Sequence, residues 1–172
     1  AVGSVSNRAI AIPLNDLHKY IKPNTELYRS LFTLDSTAFE HFRDKHTIKS
    51  YKGTYSLDRI ILDVDKGQDT GDYTITRTQT IITQLIEMGC KKEYVRVWFS
   101  GRGFHIDIPN LYGFKADKEL PQIVKKTITD DFGKTVDNIY DKGRLIRVGH
   151  SFNLKSQLYK IPISVDEIFT IT

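Results

Sequence analysis

Apolar and polar positions alternate with clear punctuation in the middle of this chain and less clearly before it. Arg59-Ile60-Ile61-Leu62-Asp63-Val64-Asp65 is a short aliphatic, partly β-branched run that predicts a strand over Arg59–Asp65. A polar, glycine-bearing loop follows from Lys66 to Asp72. Ile75, Thr78, Ile82, Leu85 and Ile86 then recur at helical spacing, and Gly89 supplies a left-handed stop. Tyr94 to Ser100 reads as a second strand and Phe104 to Ile108 as a third, joined through Gly101-Arg102-Gly103 and closed by Pro109-Asn110. The order is strand, helix, strand, turn, strand, with the two close strands expected as an antiparallel hairpin.

A second helix is predicted from about Lys118 to Phe132. Leu120, Ile123, Val124, Thr127 and Ile128 form its buried stripe, Pro121 lies in its first turn and Gly133 follows its end. Arg144 to Val148 and Gln157 to Ile163 read as a further pair of strands. The first fifty residues are mixed, with a helix expected around Thr37 to His46. The expected fold class is α/β (α+β): a mixed, largely antiparallel sheet with helices packed on one face and the other face left for a ligand.

No repeat, low-complexity block or Pro/Gly-rich linker divides the 172 residues, so one domain over 1–172 is expected. Residues 1–58 belong to it and the chemistry-bearing core covers about 59–164. No apolar run reaches membrane-spanning length and the first residues lack a signal-peptide layout, so the expectation is a soluble, intracellular protein without membrane contact. The lone Cys90 excludes an internal disulfide framework and a cysteine-rich zinc module. The net charge is +4, and the placement of the basic residues says more than the total. Lys91, Lys92, Lys115, Arg144 and their basic neighbours crowd the second half, as expected of a surface that attracts polyanions.

Three segments carry candidate chemistry. Asp63 and Asp65 stand two apart on a strand, so their side chains share one side of the sheet. Paired carboxylates with open coordination suit Mg²⁺ or Mn²⁺, although the same pattern also serves as a solvated strand end. In Ser100-Gly101-Arg102-Gly103-Phe104-His105, the glycines permit backbone angles that expose amide N–H groups to a phosphate. Ser100, Arg102 and His105 add a hydroxyl, a guanidinium and an imidazole. A plain hairpin turn with a core histidine is the other reading, and Asp107, on the same strand face, is a candidate to orient His105. In the third segment Asp141 precedes Arg144 and Arg147, which in a regular strand face opposite ways, so at most one is expected beside Asp141. Ser151, Asn153 and Lys155 then alternate along an extended piece that reads equally as a solvated loop.

Taken in order, these segments resemble the three motifs of the archaeo-eukaryotic primase (primase-polymerase) superfamily. Ile61-Leu62-Asp63-Val64-Asp65 matches the first motif and Ser100 to His105 the second. Asp141, Arg144-Leu145-Ile146-Arg147, Ser151 to Lys155 and Ile161-Pro162-Ile163-Ser164 resemble the third. The chain departs from the pattern at Gly149-His150, where Pro-Gly is usual, and at Asn153, where His is usual.

The resemblance implies an RRM-like catalytic core and a template-directed nucleotidyltransferase, a DNA primase or primase-polymerase that extends a 3′-hydroxyl and releases pyrophosphate. It implies Asp63, Asp65 and Asp141 as the carboxylates for two Mg²⁺ or Mn²⁺ ions. Ser100, Arg102, Gly103, His105, Arg147, Asn153 and Lys155 would hold an NTP or dNTP. Single-stranded DNA template and primer are the expected partners, along basic residues that include Lys91, Lys92, Lys115 and Arg144 and with Phe99, Tyr112 and Phe114 as stacking groups. A helicase or an accessory primase domain is a further expected partner. The competing expectations are a non-catalytic single-strand-binding module and a metal-dependent nuclease.

Overall fold

Four strands form the central sheet: β4 (Arg59–Asp65), β5 (Arg96–Phe99), β6 (Gly103–Pro109) and β10 (Ile161–Ile163), in the order β10-β5-β6-β4. The computed structural model describes residues 14–66 and 71–171, so most of the loop predicted over Lys66–Asp72 lies outside the described residues. The predicted strand Arg59–Asp65 is reproduced at both ends, and β5 and β6 form the predicted antiparallel hairpin. The sheet is mixed-order but not mixed-direction. Every strand pair among the described residues is antiparallel. β4 and β5 run the same way, but β6 inserts between them, so the parallel strands never touch.

Between β4 and β5 runs α2 (Gly71–Glu87), and α3 (Leu120–Phe132) follows β6. Ile81, Ile82, Leu85 and Thr78 form the buried stripe of α2, while the predicted Ile86 is exposed. In α3, Val124, Ile128 and Phe132 are buried and the predicted Ile123 is exposed. Both differences are rotations of the stripe by about one position, because apolar periodicity locates a helix face only to within a residue. A left-handed Gly89 (φ 95°) ends the α2 region, as expected. A short final helix, α4 (Val165–Thr170), is closed by a capping box between Ser164 and Glu167 and packs beside α2, where Gln79 Nε2 donates to Ile168 O.

Strand alternation divides the sheet into two chemically different faces. Ile60, Leu62 and Val64 of β4 pair with Ile108, Ile106 and Phe104 of β6, and Val97 of β5 pairs with Ile106. All are buried, and α2, which contacts β4 and β6, seals this face. The other face carries Arg59, Ile61, Asp63 and Asp65 of β4 opposite Pro109, Asp107, His105 and Gly103 of β6. Directly paired residues project to the same side, so the polar groups of three strands collect there.

The chain before β4 covers one end of that polar face. β1 (Tyr28–Ser30) pairs with β7 (Leu145–Arg147), β2 (Thr33–Leu34) pairs with β3 (Tyr55–Ser56), and α1 (Ala38–Lys45) occupies the predicted Thr37–His46 span. Phe32 meets Tyr55 and Tyr140 ring-to-edge, and Tyr55 meets Tyr51. The two late segments predicted as strands find different partners. β7 joins β1, and the stretch predicted over Gln157–Ile163 breaks into β9 (Leu158–Tyr159), paired with β8 (Phe152–Asn153), and β10, paired with β5. Short strands are completed by whichever edge is free, which alternation alone does not reveal.

The outer edge of β4 is closed without a further strand. Tyr140 Oη donates to Ile61 O at 2.8 Å and accepts from Ile61 N at 2.9 Å, and Asp137 N donates to Asp63 O at 2.8 Å. Tyr140→Phe leaves a buried N–H and C=O of β4 without a partner. Urea denaturation is expected to show a loss of about 2 kcal/mol with an unchanged far-ultraviolet spectrum.

Candidate functional site

The β4–β6–β5 register lines up Asp63, His105 and Trp98 in one row across the polar face, with Asp65 and Gly103 in the next row toward the Ser100–Gly103 turn. Gly103 is there because no side chain fits. A Cβ at this position would stand 2.1 Å from Val64 O. Gly101, at φ 93°, provides the left-handed residue of the turn, and a Cβ there would meet Ser156 Oγ at 2.4 Å.

His105 is buried, with a hydrogen-bond partner at Nδ1 and a carboxylate near Nε2. Nδ1 lies 2.8 Å from Lys160 Nζ, and Nε2 lies 3.4 Å from Asp63 Oδ1. Burial and the positive charges of Lys160, Arg147 and Arg144 hold the imidazole well below its usual pKa, so it is neutral. Lys160, also buried, donates to Arg147 O at 2.9 Å and lies 5.5 Å from the Trp98 ring centroid. Burial, together with Arg147 and Arg29, pushes its pKa down to about 7. Asp63 is only 14% exposed on its side chain, and burial with the charges of Asp137 and Asp65 pushes its pKa up to about 7.

The third carboxylate at this place is Asp137 rather than Asp141. Asp137 is bridged to Asp63 through the backbone, and burial and Asp65 raise its pKa. Asp141 turns away. Its side chain is 65% exposed and pairs with Lys125 of α3 at 3.1 Å. Asp141 O instead accepts from Arg144 N at 2.9 Å, closing a turn that delivers the two arginines. Both Arg144 and Arg147 act on the site, contrary to the expectation of one. Arg144 precedes the three-residue strand β7 and escapes its alternation, and its charge lowers the pKa of both Asp63 and Asp137. Arg147 Nε and Nη1 are buried with no hydrogen-bond partner among the described residues.

Other expected residues have more local duties. Asp107 does not orient His105; it is paired with Arg59, whose Nη2 also donates to Asp107 O at 3.0 Å. Ser100 is buried, and its hydroxyl accepts from Gly103 N at 3.3 Å within its own turn. Asn153 is buried, accepts from Lys155 N and Ser156 N, and donates to Ser100 O at 3.4 Å. It therefore ties the Ser151–Ser156 loop to the glycine turn. Arg102 is partly exposed at the tip of that turn and Lys155 is exposed on the adjoining loop. The departure at Gly149 has a steric cause: a Cβ there would stand 2.6 Å from the Trp98 ring.

Lys91, Lys92 and Lys115 do not join the site. Lys91 and Lys92 precede Arg96, and Lys115 follows Pro109, so all three sit toward the Arg59 end of the sheet. The carboxylates occupy the other end of β4, whose seven residues span roughly 20 Å. Lys92 is also paired with Asp166. The proposed stacking aromatics are elsewhere too. Phe99 pairs with Phe104 on the apolar face, and Tyr112 stacks on Phe114 at 5.2 Å while both pack against the core. Trp98 is the aromatic residue of the polar face.

The segment from Asn24 to Leu31 straps the Arg144–Leu154 stretch in place. Val148 N donates to Leu27 O at 2.8 Å, Phe152 N to Thr25 O at 3.3 Å, Leu154 N to the buried Glu26 Oε1 at 3.1 Å and Leu31 N to Arg144 O at 3.1 Å. Sequence reasoning missed Asp137, Lys160, Trp98 and this strap. Asp137 had a usable signal: Val136 and Ile139-Tyr140 flank it with apolar residues, whereas Asp141-Lys142-Gly143 has turn composition. Lys160 had none.

No protein-family model and no curated protein matches the chain. Among the described residues no helix is long and apolar enough to cross a membrane, and no group of three His, Cys, Asp or Glu side chains is gathered to hold a metal ion. What the face offers is a repelling set of carboxylates beside a set of cations. Asp137→Asn is expected to lower the pKa of Asp63 from about 7 toward the ordinary carboxylate range, whereas Asp141→Asn leaves it in place. A carbon-13 NMR titration of the Asp63 carboxyl reads both.

Proposed function

We propose that the chain is a template-directed nucleotidyltransferase core of the primase-polymerase type, working on the polar face of the central sheet. One observation carries this reading. Asp63, Asp65 and Asp137 stand within electrostatic range of one another and of Arg144, and two N–H-bearing nitrogens of Arg147 are buried without an acceptor among the described residues. A single-strand-binding surface has no need for acids that raise one another's pKa. A nuclease needs the acids but has less use for several cations, Arg144, Arg147 and Lys160, set beside them, which suit a triphosphate.

Hard carboxylate oxygens that are not drawn into a closed protein cage would suit Mg²⁺ or Mn²⁺, ions that keep waters and take up substrate phosphates. When bound, the cations would supply charge neutralisation for the triphosphate and for the attacking 3′-hydroxyl. Asp63, Asp65 and Asp137 would hold them. Arg147 and Arg144 would bind the triphosphate and stabilise the charge that builds on the leaving pyrophosphate, with Arg102 at the turn tip and Lys155 on the loop as further cationic contacts. His105, neutral and flanked by Asp63, offers a directed N–H rather than a charge. The nucleotide is the NTP or dNTP, and single-stranded template and primer approach past exposed Arg144.

The test is a primed single-stranded template with labelled nucleotides and Mg²⁺ or Mn²⁺. The unmodified protein is expected to elongate the primer. Asp63→Asn and Asp137→Asn are expected to lower the rate by at least about a thousandfold, and Asp141→Asn by less than about threefold. Retention of the strand without elongation supports the binding module, and degradation the nuclease. Full loss in Asp141→Asn with normal extension by Asp137→Asn would falsify the assignment of the third carboxylate.

A further inference from the structure

We infer that Lys160 is a positioning residue that fixes His105 in the Nε2–H tautomer and so aims its proton at Asp63 and the phosphate side of the site. The inference deepens the proposed function and rests on it only for the purpose of the aimed proton, because the hydrogen-bond geometry stands by itself.

Donors and acceptors around Lys160 decide the tautomer. A lysine ammonium has three protons and no lone pair. Lys160 Nζ has three partners at hand: His105 Nδ1 at 2.8 Å, Arg147 O at 2.9 Å and the face of the Trp98 ring, 5.5 Å from its centroid. The carbonyl and the ring face can only accept, so each takes one proton. The third goes to Nδ1, which must then present its lone pair. The ring proton is left on Nε2, 3.4 Å from Asp63 Oδ1. Which nitrogen of an imidazole carries hydrogen is set by the bond the other one makes.

Three contacts keep this arrangement from relaxing. Lys160 N donates to Ser151 O at 2.9 Å and Lys160 O accepts from His150 N at 2.7 Å, so the backbone of Lys160 is clamped to the loop across from it. Gly149 lies directly on the Trp98 ring, which leaves no room for the indole to swing off Lys160. The opposite arrangement, a neutral amine accepting from Nδ1–H, leaves Nε2 as a lone pair facing a carboxyl oxygen and is the alternative that the test must exclude.

The tautomer is read directly by a long-range proton–nitrogen correlation spectrum of the protein labelled at histidine, recorded without nucleotide at pH 6, below the pKa of about 7 of Lys160, where its side chain is the ammonium. The expected signature for His105 is a pyridine-like Nδ1 and a pyrrole-like Nε2. In Lys160→Met, which keeps the apolar stem, that signature is expected to collapse to an average of the two tautomers. An Nδ1–H signature in the unmodified protein would overturn the inference, and so would an unchanged signature in Lys160→Met. The unmodified protein alone decides the first point, so a poorly folding variant does not shield the idea. Neither measurement requires catalysis, and a protein that shows the Nε2–H signature yet fails to elongate primers sinks the polymerase reading while leaving the role of Lys160 intact.

Discussion

The pairing of β4 with β6 is the constraint on which the rest of the molecule depends. With Asp63 opposite His105 and Leu62 opposite Ile106, one face of the sheet is apolar and the other carries the chemistry. A slip of one residue would push Ile60, Leu62 and Val64 onto the polar side and Asp63 and Asp65 into the core under α2. Gly103 guards the register, since Val64 O occupies the space where any side chain would be. Residue choice at the turn therefore serves the geometry of the strands first and any ligand second.

The polar face is assembled at an electrostatic cost that the protein does not relieve internally. Asp63 is pushed up to a pKa of about 7 and Lys160 down to about 7, each mainly by burial and then by like charges. Groups of opposite sign stand close by, yet they are arranged as two sets rather than as matched pairs. Arg147 keeps buried N–H groups without an acceptor among the described residues, and Asp63 keeps Asp65 and Asp137 as neighbours. Buried charge of this kind is expensive unless something else completes it, and perturbed groups clustered on one surface are the usual mark of a site. A cation on the acid side and an anion on the basic side would relieve both sets together, which is why a metal-associated triphosphate is the proposed ligand.

Support for the site comes from parts of the chain with no chemistry of their own. Tyr140 closes the edge of β4 through a single hydroxyl, and that closure brings Asp137 to Asp63. The Asn24–Leu31 strap accepts or balances the backbone donors of the Val148–Leu154 stretch, which would otherwise be a loop with unpaired amides. Asn153 links that stretch to the glycine turn, so a position that departs from the primase-polymerase pattern has a structural task here.

The local pattern by itself determined the central elements. Aliphatic density marked β4, helical spacing marked α2 and α3, and two glycines around an arginine marked the hairpin, because these are properties of neighbouring residues. It also placed Asp63 with Asp65 on one face of their strand and His105 with Asp107 on one face of theirs, since alternation is local once a strand is known. Only the tertiary structure decided what meets that face. Asp137 replaced Asp141 because Tyr140 anchors the segment at Ile61 and a turn then carries Asp141 out to Lys125. Both arginines reached the site because β7 is too short to impose alternation on Arg144. Lys160 became a buried partner of His105 because β10 joins β5, a pairing between residues some sixty positions apart. Contacts of that separation depend on how the whole chain closes its sheet edges, and no spacing of residues along the chain encodes them.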